Sequence, residues 1–218
     1  MVRNKIVLVL LAFITLLTAG CPSLWKTGVV KSDATPSELY QDAEDRFQKK
    51  NYTEAVQLYE RLKSAYPDFE KIPRVYVRIA DSFFHDGKYE EAVSRYRQFL
   101  ELYPNHEDKN QAKYNIGMCF FNQIKNTDLD DTMVRKAEQA FKEVVDDPDA
   151  GQLKAKAEEK YKDCRTKLAE KELYKARTYL TLKKYTAAKM AAQRILDEYP
   201  NSGLDKEAKD LISSVKGK

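Results

Sequence analysis

Residues 88–104 read KYEEAVSRYRQFLELYP, and nearly the same line occurs at 51–67 (NYTEAVQLYERLKSAYP) and at 184–200 (KYTAAKMAAQRILDEYP). A weaker copy, KAEQAFKEVVDDP, occupies 136–148. Each copy contains an aligned alanine and ends in a proline. Because proline lacks a backbone N–H and disfavours helix in the residue before it, each copy predicts a helix that ends near its proline.

The aligned alanines predict a second helix before each copy. A small residue lies twelve positions before the alanine in three copies, whereas Gly117 lies 20 positions before Ala137, which predicts eight extra residues in the third connection. This is the tetratricopeptide pattern, in which small residues let paired helices approach closely and a larger residue fills the space between repeats. The aligned positions are Ala43, Ala80, Gly117 and Ala176 in the first helices, and Ala55, Ala92, Ala137 and Ala188 in the second, followed after four residues by Tyr59, Tyr96, Phe141 and Ala192.

The sequence therefore predicts an all-α fold, a tetratricopeptide-type solenoid of helix hairpins with about four repeats and a C-terminal capping helix. We expect the array to occupy 37–218, beginning with Ser37 as the N-cap of the first helix. The expected repeats are 37–70, 71–107, 108–150 and 151–202, with the capping helix at 203–216. That last segment places Leu204, Ala208, Leu211, Ile212 and Val215 on one apolar face.

The N-terminal segment is typical of a secretory leader. A short basic region precedes an apolar run at 6–17, and TAGC then ends at Cys21. At ~1.5 Å per residue the apolar run is too short to span a ~30 Å bilayer. The pattern resembles a lipoprotein signal peptide at 1–20, with Cys21 lipidated and a tether at 21–36. Thr18 stands where such signals prefer leucine, so an ordinary cleaved signal and an uncleaved anchor stay open.

The combination of features resembles the BamD family, the tetratricopeptide lipoproteins of the outer-membrane β-barrel assembly machinery. The likeness is carried by Cys21, repeats of about 37 residues that end in Tyr-Pro, the lengthened third hairpin, and the helix CRTKLAEKELYKARTYL at 164–180 that leads into YPNS. It covers nearly the whole mature chain. Family members commonly have five repeats, whereas here a single helix follows Pro200, which leaves the C-terminal partner contact open.

The resemblance implies a scaffold without catalytic activity or cofactor, anchored by lipid in the outer membrane and facing the periplasm. It implies binding to the POTRA domains of a BamA-like barrel protein through the C-terminal half, and to unfolded outer-membrane proteins through the N-terminal repeats. Whether other lipoproteins of the machinery join stays open. A pilotin-like or secretin-assembly tetratricopeptide lipoprotein is the alternative, although the long fourth-repeat helix and the extended third hairpin argue against it.

Aromatic residues at regular positions of the first helices predict a peptide-binding groove. Positions three before, and one and four after, each small residue face the concave side of such arrays. We predict that an extended, aromatic-rich peptide contacts Tyr40, Phe84, Tyr114 and Phe121. Packing within the core is the alternative, equally weighted for Phe84 and Phe121 and favoured for Phe47.

Composition limits the other function classes. The net charge of +4 is too small to indicate nucleic acid. Residues 21–150 carry 19 basic and 24 acidic residues, whereas 151–218 carry 17 basic and 10 acidic ones. The basic C-terminal half suits an acidic partner, with ordinary solvated helix faces as the alternative.

The cysteines and histidines do not predict a metal site or an active site. We expect Cys119 and Cys164 to be free buried thiols, with a disulfide between them as the alternative. His85 and His106 are too few and too isolated for zinc. No phosphate-binding glycine loop and no HExxH motif occurs in the sequence.

Overall fold

The computed structural model describes residues 34–125 and 130–217. These residues form nine α-helices and one short 3₁₀ helix, and they contain no strand, which confirms the predicted all-α fold. The leader at 1–20 and Cys21 lie outside the described residues. The helices are α1 (Pro36–Gln48), α2 (Tyr52–Ala65), α3 (Ile72–His85), α4 (Tyr89–Leu102), α5 (Lys109–Phe121), α6 (Thr132–Val145), α7 (Leu153–Thr181), α8 (Tyr185–Glu198) and α9 (Asp205–Ser214), with the 3₁₀ helix at Pro148–Ala150.

Neighbouring helices pack in sequence order into a solenoid. The hairpins are α1–α2, α3–α4, α5–α6 and α7–α8, and successive hairpins meet through α2–α3, α4–α5 and α6–α7. We call the first helix of each hairpin its A helix and the second its B helix. The final helix, α9, packs on α8 and buries Ala208, Leu211 and Val215, as a cap on an open-ended array must. The predicted four repeats and capping helix are therefore confirmed.

The aligned small residues lie where the helices approach each other. Each alanine of the pattern is fully buried, as are the larger side chains that follow on the B helices. These residues are Ala43, Ala55, Ala80, Ala92, Ala137, Ala176 and Ala188, with Tyr59, Tyr96 and Phe141. At Gly117 the ring of Phe141 occupies the space that a side chain would need. The irregular third repeat thus keeps the packing rule of the others despite its longer connection.

Three hairpins share one turn geometry. Their connections, 49–51, 86–88 and 182–184, each have three residues, and the middle one has a positive φ: 62° at Lys50, 74° at Gly87 and 56° at Lys183. The following N–H closes the helix end, as when Lys88 N–H donates to the carbonyl of Phe83 at 2.9 Å. This is a Schellman-type end. The third connection spans 122–131, which confirms the predicted lengthening; 126–129 are not among the described residues.

Prolines mark both ends of the hairpins. Helices α2, α4 and α8 end two residues before Pro67, Pro104 and Pro200, as predicted. The array begins one residue earlier than expected: Pro36 is the first residue of α1, so Ser37 lies in the first turn and is not the N-cap. Proline suits this position because its φ is helical and its missing N–H would have no partner there.

The longest helix is α7, with 29 residues. Its length is about 44 Å at ~1.5 Å per residue. Neither α7 nor any other helix within 34–125 and 130–217 has the length and apolar content needed to cross a membrane.

Candidate functional site

Buried tyrosines on the B helices anchor polar contacts on the A helices. The hydroxyl of Tyr59 donates to Oε1 of Glu44 at 2.6 Å. One repeat later, the hydroxyl of Tyr96 donates to Oδ1 of Asp81 at the same distance. In both repeats the tyrosine follows its acid by 15 residues. A fully buried tyrosine needs a partner for its hydroxyl, and the acid one position after the small residue supplies it.

Glu44 and Asp81 each also contact a residue of the next repeat, which lies 34 positions further along the chain. Arg78 donates through Nε and Nη2 to the two carboxylate oxygens of Glu44, at 2.8 and 2.9 Å. Asn115 donates its Nδ2 to the hydroxyl of Tyr96 at 2.9 Å, beside Asp81. We call this connected set the polar chain; its members are Glu44, Tyr59, Arg78, Asp81, Tyr96 and Asn115. It links the first three repeats along their A helices.

Burial sets the protonation of the polar chain. Burial raises the pKa of Asp81, even though the Tyr96 hydroxyl and the Arg78 charge act in the opposite direction. Burial and the Asp81 charge raise the pKa of Tyr96 far above its ordinary value, so its hydroxyl remains a donor. Burial would lower the pKa of Arg78, but its hydrogen bonds to Glu44 outweigh that effect and raise it. Glu44 and Asp81, which the sequence placed in the groove, are therefore committed to contacts between repeats.

A cavity of about 630 Å³ lies on the A-helix side of the second, third and fourth repeats. Its volume is in the range of ligand pockets, roughly 300–1,000 Å³. Val77, Asp81 and Phe84 of α3 form one wall, and Asn110, Gln111 and Asn115 of α5 form another. Asp149 and Ala150 of the 3₁₀ helix and Leu153 at the start of α7 also line the cavity. The polar chain thus ends in this cavity, through Asp81 and Asn115.

One of the four predicted peptide contacts lines the cavity. Phe84 is half-buried, and its ring centroid lies 5.7 Å from that of Tyr89 and 5.4 Å from that of His85. His85 also lines the cavity. Val77 and Asp81, the other groove positions of α3, do so as well. On α3 the structure therefore brings together all three positions that the sequence assigned to the groove.

The other three predicted contacts are half-buried and pack against neighbouring rings, away from the lining of this cavity. The Tyr40 ring lies 6.2 Å from that of Tyr59. The rings of Tyr114 and Phe121 lie 5.5 Å and 6.2 Å from that of Phe141. The ammonium of Lys160 on α7 lies 5.1 Å from the centre of Phe121. Sequence reasoning missed the α5 residues that do line the cavity, Asn110, Gln111 and Asn115.

Three large apolar side chains are exposed on the last hairpin. Tyr174 on α7 is 58% exposed, Leu182 in the turn 57%, and Met190 on α8 58%. This is the region in which basic residues outnumber acidic ones. Apolar side chains among positive charges suit contact with a protein partner.

Two cysteines of the described residues, Cys119 and Cys164, are shielded from solvent. Cys119 and Cys164 are both buried and free, as predicted, and burial raises the pKa of each thiol to about 12. Thiolate is the reactive form of cysteine, so neither residue has the character of a nucleophile. Within the part of the chain that the structure describes, no cluster of three or more His, Cys, Asp or Glu residues could hold a metal ion.

Comparison with known proteins gives one family and a set of relatives. The profile of the YfiO family, described as an outer membrane lipoprotein, matches residues 32–215. The chain is 28% identical over 197 residues to proteins named "Outer membrane protein assembly factor BamD" from Neisseria meningitidis serogroup B, Neisseria meningitidis serogroup A and Neisseria gonorrhoeae. Each alignment covers 86% of this chain and 74% of the relative.

Proposed function

Because the chain belongs to the YfiO family of outer membrane lipoproteins, we propose that it is a scaffold in the assembly of outer-membrane β-barrel proteins. The neisserial relatives, which are named as assembly factors, support this role over most of the chain. In this role the protein binds other chains and catalyses no reaction. The polar residues of the A helices hold the repeats together, and the cavity between the second and fourth repeats receives a partner segment.

The anchor in this proposal is the acylated Cys21, which holds the array at the periplasmic face of the outer membrane. Two or three acyl chains give stable membrane attachment, whereas one does not. We expect cells that express the full chain to incorporate labelled palmitate, and Cys21→Ser to abolish the label. Pro22→Ala is the control and should keep it. A chain that carries no label and retains residues 1–20 in the unaltered protein would identify the leader as an uncleaved anchor.

The C-terminal half in this proposal binds the POTRA region of a BamA-like barrel protein. The support is the excess of basic residues after position 150 and the exposed Tyr174, Leu182 and Met190 of the last hairpin. Other lipoproteins of the same machinery are further candidates for the complex. The partner is identified by purifying the native lipoprotein from membranes. Recovery of a BamA-like protein supports the proposal, whereas recovery of a secretin would support a secretin-assembly role in its place.

The N-terminal repeats in this proposal receive an extended segment of an unfolded barrel protein. The observation that carries it is the cavity lined by Val77 and Phe84 on one side and Leu153 on the other. Most of the lining is polar or charged, and Val77, Phe84, Ala150 and Leu153 are its apolar side chains, so the cavity offers both kinds of contact to an extended peptide whose side chains alternate in direction. The proposed contact surface extends beyond the cavity to Tyr40 on α1 and to Tyr114 and Phe121 on α5. All three side chains are half-buried.

Peptide binding is tested with the C-terminal peptide of a barrel protein and the mature chain in detergent. We expect Phe84→Ala to lower affinity about tenfold, because it removes an aromatic wall of the cavity. Leu102→Ala is the matched control: it removes an apolar side chain that is 50% exposed, but on a B helix. Equal affinities of the two variants would contradict the assignment of Phe84.

A further inference from the structure

A series of directed hydrogen bonds connects the polar chain to Gln111 in the cavity. The Tyr96 hydroxyl donates to the Asp81 carboxylate at 2.6 Å, and Asn115 donates through Nδ2 to the Tyr96 oxygen at 2.9 Å. Gln111 then donates through Nε2 to Oδ1 of Asn115 at 2.8 Å. A carboxylate only accepts, so Tyr96 is a donor to it and the NH₂ group of Asn115 must face the Tyr96 oxygen. The polar chain therefore fixes which end of the Gln111 amide faces Asn115.

The Gln111 amide keeps one donor and its acceptor for a ligand. Its NH₂ group has two N–H donors, and Asn115 receives one of them. Asn115 donates to Tyr96 and, at 3.4 Å, to Asp81, so it has no further N–H for the Gln111 oxygen. Within the described residues, Oε1 of Gln111 and its second N–H have no hydrogen-bond partner. Gln111 is exposed and lines the cavity, so a bound segment can reach this amide.

The other two amide side chains of the cavity lining are less available. Asn110 is 5% exposed, and Asn115 is half-buried with its nitrogen and oxygen both engaged. Charged groups of the lining also have partners in the protein, as where Arg74 donates to Asp108 at 2.6 Å. Of the three amides, Gln111 is therefore the one that presents a donor and an acceptor together to a ligand in the cavity.

The main chain of an extended peptide carries the complementary pair of groups. The N–H and C=O of one residue in a strand point to the same side, where they exchange two hydrogen bonds with an antiparallel neighbour. From this match we propose that Gln111 binds the backbone of the extended segment: Oε1 accepts from the N–H of one residue, and the second Nε2–H donates to the carbonyl of the same residue. The inference rests on the proposed binding of a client segment and specifies how its main chain is recognised.

This contact makes recognition largely independent of the client sequence. Every residue except proline carries both backbone groups, so different segments can make the same two hydrogen bonds. Side chains of the segment contact other parts of the lining, such as Val77 and Phe84. Because Asn115 already holds the Gln111 amide in one orientation, little side-chain freedom of Gln111 is lost on binding.

The test uses a labelled C-terminal peptide of a barrel protein and a series of its ester analogues. In each analogue an ester oxygen replaces one internal backbone N–H, which removes a donor and keeps every side chain. With the mature chain in detergent, we expect one position of the series to weaken binding about fivefold, because one hydrogen bond is lost. An equal affinity of all the analogues and the parent peptide would overturn backbone binding by Gln111 and leave peptide binding intact.

Gln111→Met assigns the lost bond to this residue. It keeps the length of the side chain and removes both polar groups, so it should weaken the parent peptide about tenfold and abolish the effect of the sensitive ester. Gln193→Met is the matched control, because Gln193 is also exposed and donates to Asp197 four residues on, but it lies on α8 outside the cavity. It should keep both the affinity and the ester effect.

Three results separate this inference from the proposed function. An ester effect that persists in Gln111→Met would overturn the assignment to Gln111. A parent peptide that binds Gln111→Met as tightly as the unaltered chain, while Phe84→Ala weakens it, would overturn the backbone contact and retain the cavity as the peptide site. Failure of the parent peptide to bind the unaltered chain would overturn peptide binding itself and the backbone contact with it.

Discussion

A Cβ atom on Gly117 would lie 2.6 Å from Cε1 of Phe141. No real Cβ contact is that short, so the helix and the ring occupy these positions only because residue 117 has no side chain. Phe141 is fully buried on α6, and its ring also contacts Tyr114 and Phe121 on α5. The irregular third hairpin is therefore held in register by one glycine and one aromatic ring.

Gly117→Ala should destabilise the protein. Alanine improves helix propensity by about 1 kcal/mol, but forcing an atom into a packed core costs about 1–3 kcal/mol. Because the Phe141 ring is fully buried and packs against Tyr114 and Phe121, we expect the cost of overpacking to exceed the gain in helix propensity. Urea unfolding of the mature chain should show a net loss of about 1 kcal/mol or more in the free energy of unfolding. A gain in stability would show that the ring yields without cost.

Phe141→Leu is the matched control for that clash. It costs stability by itself because it leaves a void. In its background Gly117→Ala should be neutral or stabilising, since the atoms that would collide with the new methyl group are gone. The two substitutions should therefore be non-additive in a double-mutant cycle. Additive effects would locate the cost of Gly117→Ala away from Phe141.

Tyr96→Phe should cost about 1–3 kcal/mol of unfolding free energy, because it leaves the half-buried Asp81 and Asn115 without the hydroxyl that joins them. Tyr59→Phe should cost less, since Glu44 keeps both bonds from Arg78. Tyr174→Phe is the control, because Tyr174 is 58% exposed. Chemical unfolding of the three variants measures the order. If Tyr96→Phe and Tyr174→Phe lower the free energy of unfolding equally, the polar chain does not contribute to stability.

Helix pairing was readable from the sequence because close packing admits few residues. Only glycine or alanine fits where the A and B helices cross, so the spacings of Ala43, Ala55, Ala80 and Ala92 predicted the hairpins directly. Even Gly117 was identified from the same rule, across a connection of different length. The turns were less visible, because Lys50 and Lys183 adopt positive φ without being glycine.

The candidate site was predicted less well, and the third repeat explains why. Positions 118 and 141 hold Met and Phe, whereas the first two repeats place an acid and a tyrosine there. Without that polar pair, Tyr114 and Phe121 pack around the Phe141 ring. The cavity is instead lined by residues nearer the start of α5. Two regular spacings would have indicated the polar contacts of the site. The acid and its tyrosine are 15 residues apart, and Asp81 and Asn115 are 34 residues apart.

Asp81 should make the free energy of unfolding fall as pH rises. Burial raises its pKa in the folded protein above the ordinary value of 3.8, so the folded state binds the proton more tightly than the unfolded state. The contribution of Asp81 to the free energy of unfolding is fully present below its ordinary pKa. It is lost as pH rises through the raised pKa of the folded state. Unfolding free energies of the unaltered chain and Asp81→Asn, measured from pH 3.5 upward, should therefore diverge in favour of the variant. Arg74, Arg78, His85 and Tyr96 surround the group in both proteins.

Asp147→Asn should change the free energy of unfolding with pH in the opposite direction to Asp81→Asn. The Asp149 N–H and nearby lysines lower the pKa of Asp147, so its stabilising contribution is present above the ordinary pKa and is lost as pH falls through the lowered one. Asp147→Asn should thus lose stability relative to the unaltered chain as pH rises. If both variants follow the same slope, Asp81 is not desolvated in the folded state.

The reactivity of the two buried thiols, Cys119 and Cys164, measures how often the folded helices open to solvent. With the thiol pKa at about 12, roughly one thiol in ten thousand is a thiolate at pH 8, and burial blocks access to it. The mature chain with Cys21→Ser should therefore show no reaction with a thiol reagent such as DTNB until it unfolds, and then two equivalents. Reaction in the native state at a rate independent of urea would contradict burial. No thiol in the unfolded chain would mean that Cys119 and Cys164 are joined, and a reductant would then restore both.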